Sequence, residues 1–399
     1  MTKLNELIQQ LCPDGVEYKT LGSFATISRG GDFQKKDFRD DGFPCIHYGQ
    51  IYTKYGLFVD KTVSFISPAC ASKQKTASKN DIIMAVTSEN IEDVCKCLVW
   101  LGDGEVAVSG HSAIIRHSQN PKYLAYYFHS RMFFDQKRKL AHGTKVIEVT
   151  PDKLASVKIP LPPIEVQREI VRILDNFTEL TAELTAELTA RKKQYEYYRD
   201  KLLVLDVFRG RASKCNVRTF RIDELCNISR GKVISKDYIK EHPGHYPVYS
   251  SQTENDGVLG CISEYAYDGE FITWTTDGAN AGTVFFRNGK FSITNVCGLL
   301  SPKNGDLNLR YLYYVLSKDA RQYVNKGMGN AKLMSNVMGG IKIAVPPLSI
   351  QNRIANVLDN FDAICSDLNM GLPAEIEARQ KQYEYYRDKL LTFKERISI

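Results

Sequence analysis

KQYEYYRDKLL occupies residues 193–203 and recurs, letter for letter, at 381–391. An identity of that length does not arise by chance, so the chain carries an internal duplication that must be read before anything else. Each copy closes a longer match: PPIEVQREIVRILDNF runs from Pro162 to Phe177 and PPLSIQNRIANVLDNF from Pro346 to Phe361. Gln167, Ile170, Leu174 and Phe177 thereby correspond to Gln351, Ile354, Leu358 and Phe361, and Tyr195 and Tyr198 to Tyr383 and Tyr386. The offset is 184 at the glutamines but 188 at Lys193 and Lys381, so the second copy holds four more residues between its halves. Four residues are about one helical turn, an insertion that two matched helices would tolerate.

Apolar residues in the first copy fall mostly three or four apart, at Ile170, Leu174, Phe177, Leu184, Leu188, Tyr195, Tyr198 and Leu202. That period predicts a helix, unbroken from Ile164 to Val204, with prolines only at its start. Its middle, TELTAELTAELTA, sets Leu180, Leu184 and Leu188 on one ridge. In the second copy Gly371 and Pro373 predict that one helix ends and another begins. Glu, Arg and Lys recur too often for a membrane span. Two similar helices with narrow apolar stripes predict an antiparallel coiled coil.

The 399 residues suffice for two or three domains, and 43% hydrophobic with 25% charged residues is ordinary globular material. The polar start, MTKLNELIQQL, lacks the apolar segment of a secretory signal. Ten scattered cysteines without a CxxC point to free thiols in a reducing cytoplasm. A net charge of +7 is compatible with a polyanionic partner without demanding one.

Residues 1–158 form a first block of strand-like runs ending in a helix predicted over Lys122–Lys139, and residues 209–342 repeat that plan. Ile27-Ser28-Arg29-Gly30 reappears as Ile228-Ser229-Arg230-Gly231, and Tyr123-Leu124 as Tyr311-Leu312. Between these anchors the blocks share almost nothing, as expected of modules with one fold and different ligands. The helical stretches are 159–208 and 343–399. The fold class is therefore α+β: two mixed domains separated by two long helices, related by a pseudo-two-fold duplication.

Each block carries basic, amide, hydroxyl and aromatic side chains in loop-like positions. In the first these are Lys35, Lys36, His47, Tyr48, Gln50, Lys73, Lys75 and Lys145; in the second, Arg230, Lys232, Tyr249, Ser251, Gln252, Trp274, Thr275, Asn330 and Lys332. Amides pair with adenine edges, Arg and Lys with guanine and phosphates, so these are the candidate DNA contacts. Catalytic signatures are missing: there is no GxxxxGK[ST] and no HExxH, and the residues before each Pro-Pro are Leu161 and Val345, without the acidic or amide residue of an adenine methyltransferase. No metal site is expected either.

Two variable blocks, each followed by PP-x(3)-Q-x-x-I-x(3)-LDNF and a distal KQYEYYRDKLL, resemble the specificity subunit of a type I restriction-modification enzyme, and the TAEL repeat resembles one particular family of these subunits. The resemblance implies two target-recognition domains, each reading half of a split double-stranded DNA target, with the helices holding them apart and docking two modification subunits. It further implies that S-adenosylmethionine, ATP and magnesium belong to those partners and to two motor-nuclease restriction subunits, with no cofactor bound by this chain. Gln167, Ile170, Leu174, Phe177, Tyr195, Tyr198 and their counterparts Gln351, Ile354, Leu358, Phe361, Tyr383 and Tyr386 are then the spacer and partner-binding positions. The surplus of tyrosine at Tyr195, Tyr197 and Tyr198 exceeds what one helical seam uses. The competing readings are a duplicated coiled-coil adaptor with no role on DNA, and a self-contained DNA-modifying enzyme.

Overall fold

The computed structural model describes residues 2–203, 217–327, 330–367 and 370–396. The predicted helix end at Val204 and the boundary between 208 and 209 lie outside them. Contacts group the chain into two units, Met1–Leu184 with Ile376–Ile399, and Thr185–Glu375. Each unit combines one block, the LDNF half of that block's own helix, and the KQYEYYRDKLL half supplied by the other copy.

In the first unit a five-stranded sheet runs in the order Ala25–Arg29, Ser112–His117, Ile82–Ala85, Cys97–Trp100, Phe58–Val59. A four-stranded sheet follows the order Ser64–Ile66, Phe43–Ile46, Val106–Val108, Thr76–Ala77. Ile82–Ala85 and Cys97–Trp100 are buried throughout, because the sheet is covered on both faces. The second unit is built on one six-stranded sheet, ordered Cys226–Arg230, Cys297–Pro302, Tyr267–Thr275, Val284–Ile293, Pro243–Tyr249, Val258–Ile262.

Two predicted elements differ in detail. Lys122–Lys139 is two helices, Pro121–Phe128 and Arg131–Leu140, because Ser130 turns the chain and its Oγ accepts from Phe133 N at 3.3 Å, capping a fresh start. The strand-like run at Pro44–Ile51, one of those of the first block, is strand only over Phe43–Ile46 and enters the helix Tyr48–Thr53.

The first long helix runs unbroken over Ile164–Leu203. The second copy is divided into Leu348–Ser366 and Leu372–Leu390, as Gly371 and Pro373 predict. Gly371 is required by close approach: a Cβ there would stand 2.6 Å from the Ala363 carbonyl oxygen and 2.7 Å from that of Asp367. The four extra residues of the second copy are therefore taken up at this break and do not add a helical turn.

The matched residues explain why the duplicated segments kept their sequence. In the first unit Gln167, 1% exposed, accepts from Asn120 N at 3.1 Å and donates to the Pro162 carbonyl and to Gln119 Oε1, each at 2.8 Å. In the second, Gln351, equally buried, accepts from Asn308 N at 2.8 Å and donates to the carbonyls of Pro346 at 2.9 Å and Asp306 at 3.0 Å. Asn120 and Asn308 each cap the helix that follows. About two turns further along the long helices, Asp175 accepts from Tyr126 Oη at 2.6 Å and pairs with Lys122 at 2.6 Å, while Asp359 accepts from Tyr314 Oη at 2.5 Å and pairs with Arg310 at 2.5 Å. Leu174 and Leu358 are fully buried beside them.

The KQYEYYRDKLL halves complete the same arrangement. Phe177 stacks on Tyr386 at 5.4 Å in the first unit, and Phe361 on Tyr198 at 5.8 Å in the second. Tyr383 and Tyr195 pack into the respective cores. In each unit the early part of one helix meets the late part of the other, as an antiparallel pairing requires. Leu180, Leu184 and Leu188 of the TAEL stretch are only half-buried.

Replacing either glutamine with alanine strands a buried backbone N–H and two acceptors, so Gln167→Ala and Gln351→Ala should each cost about 1–3 kcal/mol. Urea denaturation of the two variants checks this; a loss in only one would mean that the two braces are not equivalent.

Candidate nucleic-acid interface

In the first unit the candidate residues divide between surface and interior. Lys35 and Lys36 stand exposed on a single 3₁₀ turn, fixed where Gln34 N donates to the Asp37 carboxylate at 2.8 Å. His47 caps the helix Tyr48–Thr53: its Nδ1 accepts from Gly49 N at 3.2 Å, and its own N–H donates to Gln50 Oε1 at 3.0 Å. Gln50 spends its remaining donor on Ser64 Oγ at 2.7 Å and is buried, which corrects its expected place in a polar loop. Tyr48 lies between His47, 4.5 Å away, and the exposed His111, 4.8 Å away. Lys73 and Lys75 are exposed on either side of Gln74, whose amide lies against Gly31. Lys145 is exposed in the loop closed by the backbone pairing of His142 with Glu148. That loop is joined by Ile147–Glu148 to Thr87–Ser88, and Thr87 Oγ1 lies 3.2 Å from His111 Nδ1.

Segments far apart in sequence thus bring Lys35, Tyr48 and His111 together, with Arg29 held by the carboxylate of Glu148. His111 and Arg29 were not among the predicted contacts. The repeated Ile-Ser-Arg-Gly string carried a signal for the arginine; nothing local marked the histidine.

Burial, with the nearby Lys35 and His111 charges, pushes the His47 pKa down to about 4. The fold therefore favours the neutral ring, consistent with Nδ1 accepting a hydrogen bond.

In the second unit Arg230 donates through Nη2 to Thr276 Oγ1 at 2.9 Å and to Asp277 Oδ2 at 3.3 Å, and Lys332 lies 3.7 Å from the same carboxylate. Arg230 and the exposed Lys232 line an open cleft of about 510 Å³ together with Tyr238, Tyr265 and Tyr267. Asn330 is exposed beside Lys332.

Tyr249, Trp274 and Thr275 belong to strands, which corrects their expected loop positions, whereas Ser251 and Gln252 lie in a loop as expected. Trp274 and Thr275 belong to the strand Tyr267–Thr275 and are fully buried. The Trp274 indole N–H donates to the Leu333 carbonyl at 2.9 Å, and its ring fills the space left by Gly298, where a Cβ would sit 2.2 Å from it. Thr275 Oγ1 donates to the Asn280 carbonyl and accepts from Thr283 N at 3.1 Å. The half-buried Tyr249 ring lies under the Arg287 guanidinium at 3.6 Å, and Arg287, itself 3% exposed, also pairs with Asp256 at 2.5 Å. Ser251 is partly buried, and Gln252 donates to the Val258 carbonyl.

On the helices, the predicted partner-binding residues are occupied within their own units, with Gln167, Ile170, Leu174, Gln351, Ile354 and Leu358 buried. Of the tyrosines on these helices, Tyr197 and Tyr385 at equivalent positions are the most exposed, at 58% and 61%, while Tyr198, stacked on Phe361, remains 39% exposed. Among the described residues no cluster of three or more His, Cys, Asp or Glu could hold a metal ion, and no helix is long and apolar enough to cross a membrane.

The family model described as the type I restriction modification DNA specificity domain matches residues 13–191 and again 215–378. A Mycoplasma pneumoniae protein described as a type I specificity subunit is 43% identical over 245 residues, 61% of this chain and 99% of that protein. A Haemophilus influenzae protein described as a type I restriction enzyme specificity subunit is 31% identical over 313 residues, 73% of this chain and 77% of that one. The crystal structure of a type I restriction-modification S subunit from M. genitalium superposes with a TM-score of 0.58 at 17% identity, covering 94% of this chain and 96% of that one, and shares the fold.

Because the unfolded chain binds a proton near pH 6.5 and folded His47 only near 4, stability present above about pH 6.5 is lost as the pH falls towards about 4. His47→Asn keeps an acceptor for Gly49 N and should flatten that part of the profile in thermal unfolding across a pH series; an unchanged slope would assign it to other groups.

Proposed function

The chain belongs to the type I restriction-modification DNA specificity family, and we propose that it reads a bipartite, asymmetric double-stranded DNA target, one half with each unit. The observation that carries this reading is the contrast between brace and interior. The Gln, Asp and Phe contacts repeat in both units, whereas the main sheets above them differ: the first unit has a five-stranded and a four-stranded sheet where the second has one of six strands. A common mount with unlike faces suits recognition of two unlike half-sites.

The basic and aromatic residues on those faces supply phosphate and base contacts: Lys35, Lys36, Lys73, Lys75 and Lys145 in the first unit, Lys232, Asn330 and Lys332 in the second. Tyr197 and Tyr385, exposed at matched positions, form the docking faces for two modification subunits. Adenine methylation then takes place in those partners, which hold S-adenosylmethionine, and cleavage in two restriction subunits using ATP and magnesium. The assembly works in the cytoplasm, and this chain contributes recognition without catalysis. Incubated alone with DNA and S-adenosylmethionine, it should leave the DNA unmethylated; product formed without a partner would overturn that division of labour.

The helices set the unspecified gap between half-sites. Four helical residues advance about 6 Å and rotate about 40° beyond a full turn; one base pair advances about 3.4 Å and rotates about 35°. Deleting Thr185–Leu188 should therefore shorten the gap by one base pair where rotation governs, and by two where length does. Methyladenine sequencing of cells carrying the deletion reads the gap directly, and an unchanged gap would refute the helices as its ruler.

A further inference from the structure

We infer that Arg29 and Arg230 read guanine, each aimed by a carboxylate of its own unit. This rests on the chain being a DNA specificity subunit and names the residues that carry base readout.

The two arginines are structurally equivalent. Each ends the Ile-Ser-Arg strand at one edge of its sheet, opposite Ala113 in one unit and Gly298 in the other. Each is followed by a glycine pressed onto a neighbouring carbonyl: a Cβ on Gly30 would lie 2.3 Å from Ser109 O, and one on Gly231 2.0 Å from Ile293 O. The backbone that presents the guanidinium is therefore pinned in both units.

Each arginine also meets an acidic residue, but from unrelated loops. Glu148 comes from the segment fixed by reciprocal backbone bonds with His142, at 2.8 and 3.0 Å. Asp277 follows the buried Thr276, whose Oγ1 donates to it at 2.6 Å. Where almost nothing else is shared between the two faces, the same arginine has acquired a carboxylate twice. Exposed ion pairs contribute little stability, so stability does not account for the repetition.

The geometry favours a base over a phosphate. Both side chains remain partly exposed, at 46% and 35%, and only Nη2 is engaged among the described residues. The remaining donors of the planar fork suit guanine O6 and N7. A carboxylate against the guanidinium would repel a phosphate, whereas beside a neutral base edge it restricts the fork to one orientation.

The test uses the full chain assembled with modification subunits and reads the methylated motif by methyladenine sequencing. Each half-site should contain a G·C pair. Arg29→Ala should relax that guanine in one half-site only, and Arg230→Ala in the other, with discrimination falling about 10- to 100-fold. Glu148→Gln and Asp277→Asn should relax the same positions more weakly. If an alanine variant yields no methylation, the lysine variant decides, because it keeps the charge and loses the fork: a relaxed guanine supports the assignment and an intact motif overturns it. A half-site without a G·C pair, or uniform weakening with every base still required, also overturns it. Absence of any motif with the unaltered chain would instead sink the specificity-subunit reading itself.

Discussion

The structure depends on a buried amide. Gln167 and Gln351 sit where a strand ends in two prolines, a capped helix begins and a long helix departs, and each satisfies polar backbone groups from two of those three elements. Proline cannot donate, so the junction is short of hydrogen-bond partners, and an amide with both donor and acceptor supplies what it lacks. With the amide in place, Leu174 or Leu358 about two turns later is buried in the core, Phe177 or Phe361 about three turns later stacks on a tyrosine, and Asp175 or Asp359 meets a tyrosine hydroxyl. Burial, reinforced by the carboxylates, raises the pKa of both Tyr126 and Tyr314, keeping the hydroxyls as donors.

This junction separates two kinds of sequence freedom. Residues in it are fixed by mutual fit: a socket of Gln, Leu, Asp and Phe, and a plug of tyrosines. Since each socket receives the plug of the other copy, all four segments must stay compatible, which accounts for the literal repetition of KQYEYYRDKLL. The sheets beyond answer only to their own cores and to whatever they touch, and the first unit has a five-stranded and a four-stranded sheet where the second has one of six strands.

Legibility in the sequence follows the same line. The duplication, the long helix and the break at Gly371 could be read because repetition, period and helix-terminating residues are local signals. The other half of the brace could not: Asn120, Tyr126, Asn308 and Tyr314 look like ordinary cap and core residues until the fold places them. Among the candidate contacts, exposed lysines were found on the surface as charge requires, but Trp274, Thr275 and Gln50 were misplaced. Ile272–Thr276 is buried on every residue, so neither alternation nor polarity separated strand from loop there. His111 came to the surface cluster through sheet pairing, which spacing along the chain does not encode.

Because the first unit is finished by residues 376–396, its parts are separated by most of the polypeptide: Tyr18 Oη donates to the Phe393 carbonyl across 375 positions. Synthesis delivers this unit's sheets well before the helix Leu372–Leu390 that completes it. Before that helix is present, Phe177 lacks the Tyr386 ring it stacks on and the core lacks Tyr383, Leu390 and Leu391, so closing this unit requires contacts of long sequence separation. The unit whose sheets come first along these residues is thus the one closed by residues beyond the other unit.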